Sequence, residues 1–155
     1  MKMKFSLVIS LSHHADLLIL DEPTSGLDPI FRSELLDILA EIIQDENKSI
    51  LLSTHLTTDL DKIADYITFI NQGKLVFCEA KDTIMERYAL VKGENELLDE
   101  ELKREFVGIK QSKYGFTGLT RDVQRARQLF GSSVLIEKAT LEDIMLYTVR
   151  GNSHV

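Results

Sequence analysis

The sequence predicts an α/β fold, on three observations. Two short apolar runs, Leu17-Leu18-Ile19-Leu20 and Ser49-Ile50-Leu51-Leu52-Ser53, are unbroken and bounded by polar residues, the pattern of strands in a parallel sheet buried on both faces. A segment of helical period lies between them. A second helical segment and a hairpin pattern follow, and strands alternating with helices indicate an α/β domain.

Taken in order, Met1 to His14 reads as an amphipathic helix, with Met3, Leu7 and Leu11 at four-residue spacing. Lys2 and Lys4 sit unfavourably in its first turn against the helix dipole. The run from Leu17 ends in Asp21-Glu22-Pro23. Ligands of open α/β sheets bind at the carboxyl ends of strands, so two carboxylates there are well placed for chemistry. Asp28 can cap the next helix and Pro29 fits its first position. Leu35, Ile38, Leu39, Ile42 and Ile43 mark its buried face. The second strand ends at Thr54-His55, and a helix runs to about Ala64. Tyr66 to Ile70 and Leu75 to Cys78 read as a hairpin around the turn Asn71-Gln72-Gly73-Lys74. Lys81 to Tyr88 closes this part as a helix.

From about Ala89 the texture changes, and we expect a boundary there: residues 1–89 as one domain, 90–155 as a small accessory domain. Glu94 to Glu105 reads as an acidic helix. Val107 to Leu119 reads as short glycine-bearing strands, Thr120 to Phe130 as a helix, Val134 to Ile136 as a strand, and Thr140 to Val149 as a last helix. Thr140 and Asp143 give that helix its start signal.

Composition narrows the function. The 155 residues carry 18 basic and 25 acidic side chains, a net charge of −7. That balance argues against a nucleic-acid partner, which requires a positive surface. The single cysteine, Cys78, cannot form an internal disulfide and reads as a small buried hydrophobe. No apolar run approaches the ~18 residues of a spanning helix, so direct membrane insertion is not expected.

The chemistry concentrates in residues 17–55. Glu22 and His55 close successive strands, 33 positions apart, with Ser25-Gly26-Leu27-Asp28 directly after the first. Singly, each feature is commonly a solvated loop, a turn with an N-cap, or a structural histidine. Together, Leu17 to Pro29 resembles the Walker B motif, catalytic glutamate and D-loop of ABC ATPases, and Ser53-Thr54-His55 resembles their H-loop. Helicases of the Asp-Glu-box class also place this dipeptide after a buried strand. The Ser-Gly-Leu-Asp run and the Ser-Thr-His strand end favour the ABC family.

The resemblance implies the C-terminal part of a P-loop NTPase domain, with a small α/β extension. It implies ATP and Mg²⁺ as ligands. Asp21 would hold the Mg²⁺ site, Glu22 the attacking water, and His55 the γ-phosphate. Ser25, Gly26 and Asp28 would reach the nucleotide of a second ATPase subunit, in a homo- or heterodimer. The implied partner is an ABC transporter membrane subunit, which would hold the chain at the inner face of the cell membrane from the cytoplasm. Gly115 to Thr120 and Ile136 to Met145 resemble the tails of ATPases paired with small-peptide or antibiotic exporters.

The sequence contains no Gly-x-x-x-x-Gly-Lys-Ser/Thr phosphate loop. Aligned on the family's signature run, Met1 falls on its last position and Lys2 and Lys4 on the basic residues that follow. The resemblance therefore implies an N-terminally truncated transporter ATPase, inactive as an isolated chain. The alternatives are a non-catalytic dimerisation or regulatory remnant, or a soluble ABC ATPase without a membrane partner. Arg121, Arg125 and Arg127 form a basic helix face, expected to be solvated.

Overall fold

The computed structural model describes Ile9, Ser12, His13 and residues 15–151. The helix expected over Met1 to His14 falls almost wholly outside them. The chain divides into two compact units, Met1–Ala64 and Asp65–Val155.

In the first unit, β1 (Leu17–Asp21) and β2 (Ser49–Ser53) form a parallel pair in which Leu17 faces Ser49 and Asp21 faces Ser53. Two parallel neighbours need a crossover, and α1 (Pro29–Ile42) supplies it. As the sequence indicates, Asp28 caps α1: its carboxylate accepts the Phe31 N–H at 3.0 Å, and Pro29 follows. Leu35, Leu36 and Leu39 are the buried face of α1; Leu35 and Leu39 pack on Leu20, with Ile50 and Leu52 alongside. Ile38 lies outside that stripe and is 43% exposed, contrary to expectation, because it sits about 100° around the helix from Leu39. A short helix, α2 (Thr57–Ile63), follows β2.

Both strands were expected to be buried on two faces. Only one is: Leu18 and Leu20 are buried, while Leu17, Ile19 and Leu51 are 55%, 70% and 61% exposed. The reason is that α1 covers one side of the pair, and side chains alternate between faces along a strand.

The second unit opens with a hairpin of β3 (Tyr66–Asn71) and β4 (Lys74–Ala80). Gln72 and Gly73 both have positive φ, 49° and 72°, as a tight two-residue hairpin turn requires. Ile67, Phe69 and Phe77 point inward, and the Phe69 and Phe77 rings lie 5.6 Å apart. The same alternation turns Cys78 outward, so it is exposed rather than buried; the Thr68 hydroxyl donates to its sulfur at 3.2 Å. Helix α3 (Lys81–Arg87) follows, with Ile84 fully buried.

The remainder is a four-stranded sheet in the order β6-β7-β5-β8, antiparallel at every pairing: β5 (Ala89–Gly93), β6 (Phe106–Ser112), β7 (Gly115–Thr120) and β8 (Leu135–Lys138). Two interleaved βαβ units give this order, the ferredoxin-like split arrangement. The sequence reading assigned no element to β5, whose three buried residues Ala89-Leu90-Val91 fall at the expected domain boundary. The acidic helix expected over Glu94 to Glu105 is instead a 3-10 turn (Asn95–Leu97) and a single helical turn, α4 (Glu100–Lys103). Asp99 interrupts it by accepting the Leu102 N–H at 2.7 Å, a local bond that competes with helix continuation. Likewise Asp122 caps α5 (Val123–Phe130), so the helix starts after Arg121, which instead lies over the Tyr88 ring.

Helix α5 covers one face of this sheet, Ala126 and Phe130 packing with Val91 and Phe116. The last helix, α6 (Leu141–Gly151), lies along β6 and β7. Thr140 and Asp143 form the expected reciprocal box: the Asp143 N–H donates to the Thr140 hydroxyl at 3.1 Å, and the Thr140 N–H to Asp143 at 3.0 Å. The approach of α6 depends on Gly108. A Cβ there would meet the Tyr147 carbonyl, whose carbon would lie 3.1 Å away. Backbone cannot yield as a side chain does, so Gly108→Ala is expected to cost about 1–3 kcal/mol, read as a lower urea midpoint. An unchanged midpoint would mean that α6 is not seated on β6 in solution.

Candidate active site

The parallel register of β1 and β2 puts both strand ends side by side. The Ser53 hydroxyl donates to Asp21 Oδ1, and the Glu22 N–H to the Ser53 carbonyl at 2.9 Å. Each chain then turns away, Glu22 after β1 and Thr54-His55 after β2.

Glu22 and His55, distant in sequence, meet here. Glu22 Oε1 accepts two bonds from His55, from the backbone N–H at 3.0 Å and from ring Nδ1 at 2.8 Å. An ionised carboxylate only accepts, so Nδ1 carries the proton and, in a neutral ring, Nε2 is left as the acceptor. The other oxygen, Glu22 Oε2, is buried and has no hydrogen-bond partner among the described residues. A carboxylate is a candidate general base, and Glu22 can serve as one once its side chain turns Oε2 toward solvent.

The Glu22 backbone has φ 46°, a left-handed conformation that costs a side-chain-bearing residue about 1–3 kcal/mol. Two turns hold it: the Ser25 N–H donates to the Glu22 carbonyl at 3.1 Å, and Leu27 N–H to the Thr24 carbonyl at 3.2 Å. Gly26, at φ 70°, needs the freedom of glycine. Pro23 and Thr24 are buried beneath this loop, whereas Gly26 and Asp28 are exposed and Ser25 half-exposed. The structure thus brings Asp21, Glu22 and His55 together and sets Ser25, Gly26 and Asp28 outward along the following loop.

Among the described residues, no group of three or more His, Cys, Asp or Glu could hold a metal. The donors present are one exposed carboxylate, Asp21, and the Ser53 hydroxyl beside it. That set fits Mg²⁺, which takes oxygen ligands, keeps several waters and uses one or two carboxylates together with substrate phosphates.

Sequence reasoning missed four participants. Ser53 was legible as the register partner of Asp21. Thr24, Arg32 and Asp59 were not: they join only in space. Asp59, 1% exposed, accepts the Thr24 hydroxyl at 2.5 Å and two Arg32 N–H groups at 2.8 and 2.5 Å.

No protein-family model matches the chain. Several curated proteins do. The lantibiotic transport ATP-binding protein SrtF of Streptococcus pyogenes is 43% identical over 76 residues, 49% of this chain and 33% of SrtF. The bacitracin transport ATP-binding protein BcrA of Bacillus licheniformis is 36% identical over 76 residues, 49% of this chain and 25% of BcrA. The energy-coupling factor transporter ATP-binding protein EcfA2 of Enterococcus faecalis is 33% identical over 76 residues, 49% of this chain and 26% of EcfA2. The chain therefore spans a quarter to a third of the length of these relatives, and its homologues are ABC transporter ATP-binding proteins. Among solved structures, one of a metal-chelate type ABC transporter in an inward-facing conformation is similar at a TM-score of 0.49 and 19% identity, over 80% of this chain and 47% of that one.

Proposed function

We propose that these residues are the C-terminal part of the ATP-hydrolysing subunit of an ABC transporter, working in an exporter. The observation that carries this reading is the Glu22–His55 pair at the adjoining ends of two parallel strands, with Glu22 Oε2 buried and unpaired. Homology to ATP-binding subunits, two of them named for lantibiotic and bacitracin transport, supports it.

In this reading Glu22, its side chain turned toward the nucleotide, orients the attacking water and accepts its proton. His55, held through Nδ1, presents Nε2 toward the γ-phosphate. Asp21 and Ser53 would hold Mg²⁺, which would supply positive charge to the phosphates of bound ATP. The exposed loop Ser25-Gly26-Leu27-Asp28 meets a second ATPase subunit. Among the described residues no helix is long and apolar enough to cross a membrane. In this reading contact with the membrane runs through a partner subunit at its cytoplasmic face, with residues 90–155 as an appendage.

The phosphate-binding loop must come from outside these 155 residues. The test is phosphate release from Mg²⁺–ATP by the purified chain, alone and mixed with a separately expressed phosphate-loop half from a relative such as SrtF. No turnover alone and turnover in the mixture is expected. Turnover in neither, with the two halves bound to each other, would overturn the ATPase reading. Turnover by the chain alone, abolished by Glu22→Gln, would overturn the need for the outside loop.

A further inference from the structure

We propose that Asp59 is a positioning residue that fixes the Glu22–His55 pair by clamping the three segments leaving the site. This rests on the reading of that pair as the reactive centre. The pair itself cannot fix its own geometry. The His55 side chain is 68% exposed and that of Glu22 35%, so water competes for every bond between them. Their alignment must be imposed through the backbone.

The clamp does this from both sides. Thr24 lies two residues after Glu22, in the loop that holds it at positive φ. Asp59 lies four residues after His55, in the first turn of α2. Asp59 Oδ2 accepts the Thr24 hydroxyl at 2.5 Å, tying the two departing segments to each other. Its Oδ1 accepts Arg32 Nε and Nη2, which brings in α1, the third segment. Arg32 Nη2 also donates to the Thr58 hydroxyl at 2.6 Å, beside Asp59 on α2. One buried carboxylate therefore receives a bond from each neighbouring segment. Buried ion pairs are commonly no more stabilising than the apolar residues that could replace them. What this one adds is a fixed relation between the residues flanking Glu22 and those flanking His55. Without the Thr24 bond only the two backbone turns hold Glu22 at positive φ, and relaxation toward negative φ swings Oε1 away from Nδ1.

The test uses the full chain and needs no nucleotide. Imidazole ¹⁵N shifts report the Nδ1–H tautomer of His55, and hydrogen exchange reports protection of its backbone amide. Glu22→Ala defines the unpaired signature. Thr24→Val keeps the shape of the side chain and removes the hydroxyl. It is expected to move the His55 signals to the Glu22→Ala values and to cut amide protection at least about tenfold, as loss of a bond to a charged acceptor does. Thr24→Ser restores both, and Asp59→Asn, which keeps one acceptor, moves them part-way. Unchanged His55 signals in Thr24→Val would overturn the proposal while leaving the ATPase reading intact. So would protection lost evenly across residues 15–64 with the tautomer preserved, since that marks a merely structural bond. His55 signals unchanged in Glu22→Ala would mean that no pair exists, which overturns both.

Discussion

Glu22→Gln is expected to lower ATP turnover by about 10²–10⁴-fold, the contribution of a positioned general base, in an assembly completed with a phosphate-binding half. The amide has nearly the shape of the carboxylate and keeps an oxygen for the two His55 bonds, so the pair stays in place. What it loses is the basicity of the carboxylate. The loss should therefore fall on kcat, with KM for ATP little changed, because the interaction removed is made in the transition state. Single-turnover measurements separate this from slow product release. A fall smaller than about tenfold would assign proton transfer to another group, against the role given to Glu22.

The largest effect on stability is expected at Asp59. Removing one partner of a buried ion pair costs about 3–5 kcal/mol, because a charge is left without compensation. Here the abandoned charge is Arg32, whose side chain is 29% exposed and can turn to water. Asp59→Ala should accordingly fall near the lower end, about 3 kcal/mol. Leu39→Ala, at a site with no exposure, lies in the same range for a different reason, the cavity it leaves. The measurement must address the first unit specifically. The chain has no tryptophan, and its four tyrosines, at 66, 88, 114 and 147, all belong to the second unit. Intrinsic fluorescence would miss the event. Amide exchange at Leu35 to Leu39 reads it directly, and a loss below about 1 kcal/mol there would show that the Arg32–Asp59 pair is no stronger than an exposed one.

Much of the fold is local, and local features are legible in a sequence. The cap at Asp28 with Pro29, the positive-φ turn at Gln72-Gly73 and the Thr140–Asp143 box each lie within a few residues, and each forms as its residue types dictate. The misreadings are where local pattern and tertiary packing disagree. Asp99 and Asp122 each shorten an expected helix, because a short acidic side chain serves as well for capping as for a helical surface. Ala89-Leu90-Val91 carries no period of its own; it is a strand because β7 and β8 pair with it on both sides. Cys78 and Ile38 were assigned to the interior by residue type, and strand alternation and helix phase put them outside.

The candidate site divides in the same way. The sequence, through its resemblance to ABC ATPases, proposed Asp21, Glu22 and His55 as a set, each at the end of an apolar run. Only the tertiary structure decided that Glu22 spends one oxygen on the backbone N–H and ring Nδ1 of His55 and keeps the other bare. Only it could find Thr24, Arg32 and Asp59, separated by up to 35 positions. The physical reason is that a motif records which groups stand at a strand end, whereas a hydrogen bond between distant segments depends on how those segments pack. Nothing in the run Thr57-Thr58-Asp59-Leu60-Asp61 marks Asp59 rather than Asp61 as the one turned inward. Burial against Thr24 and Arg32 makes that choice.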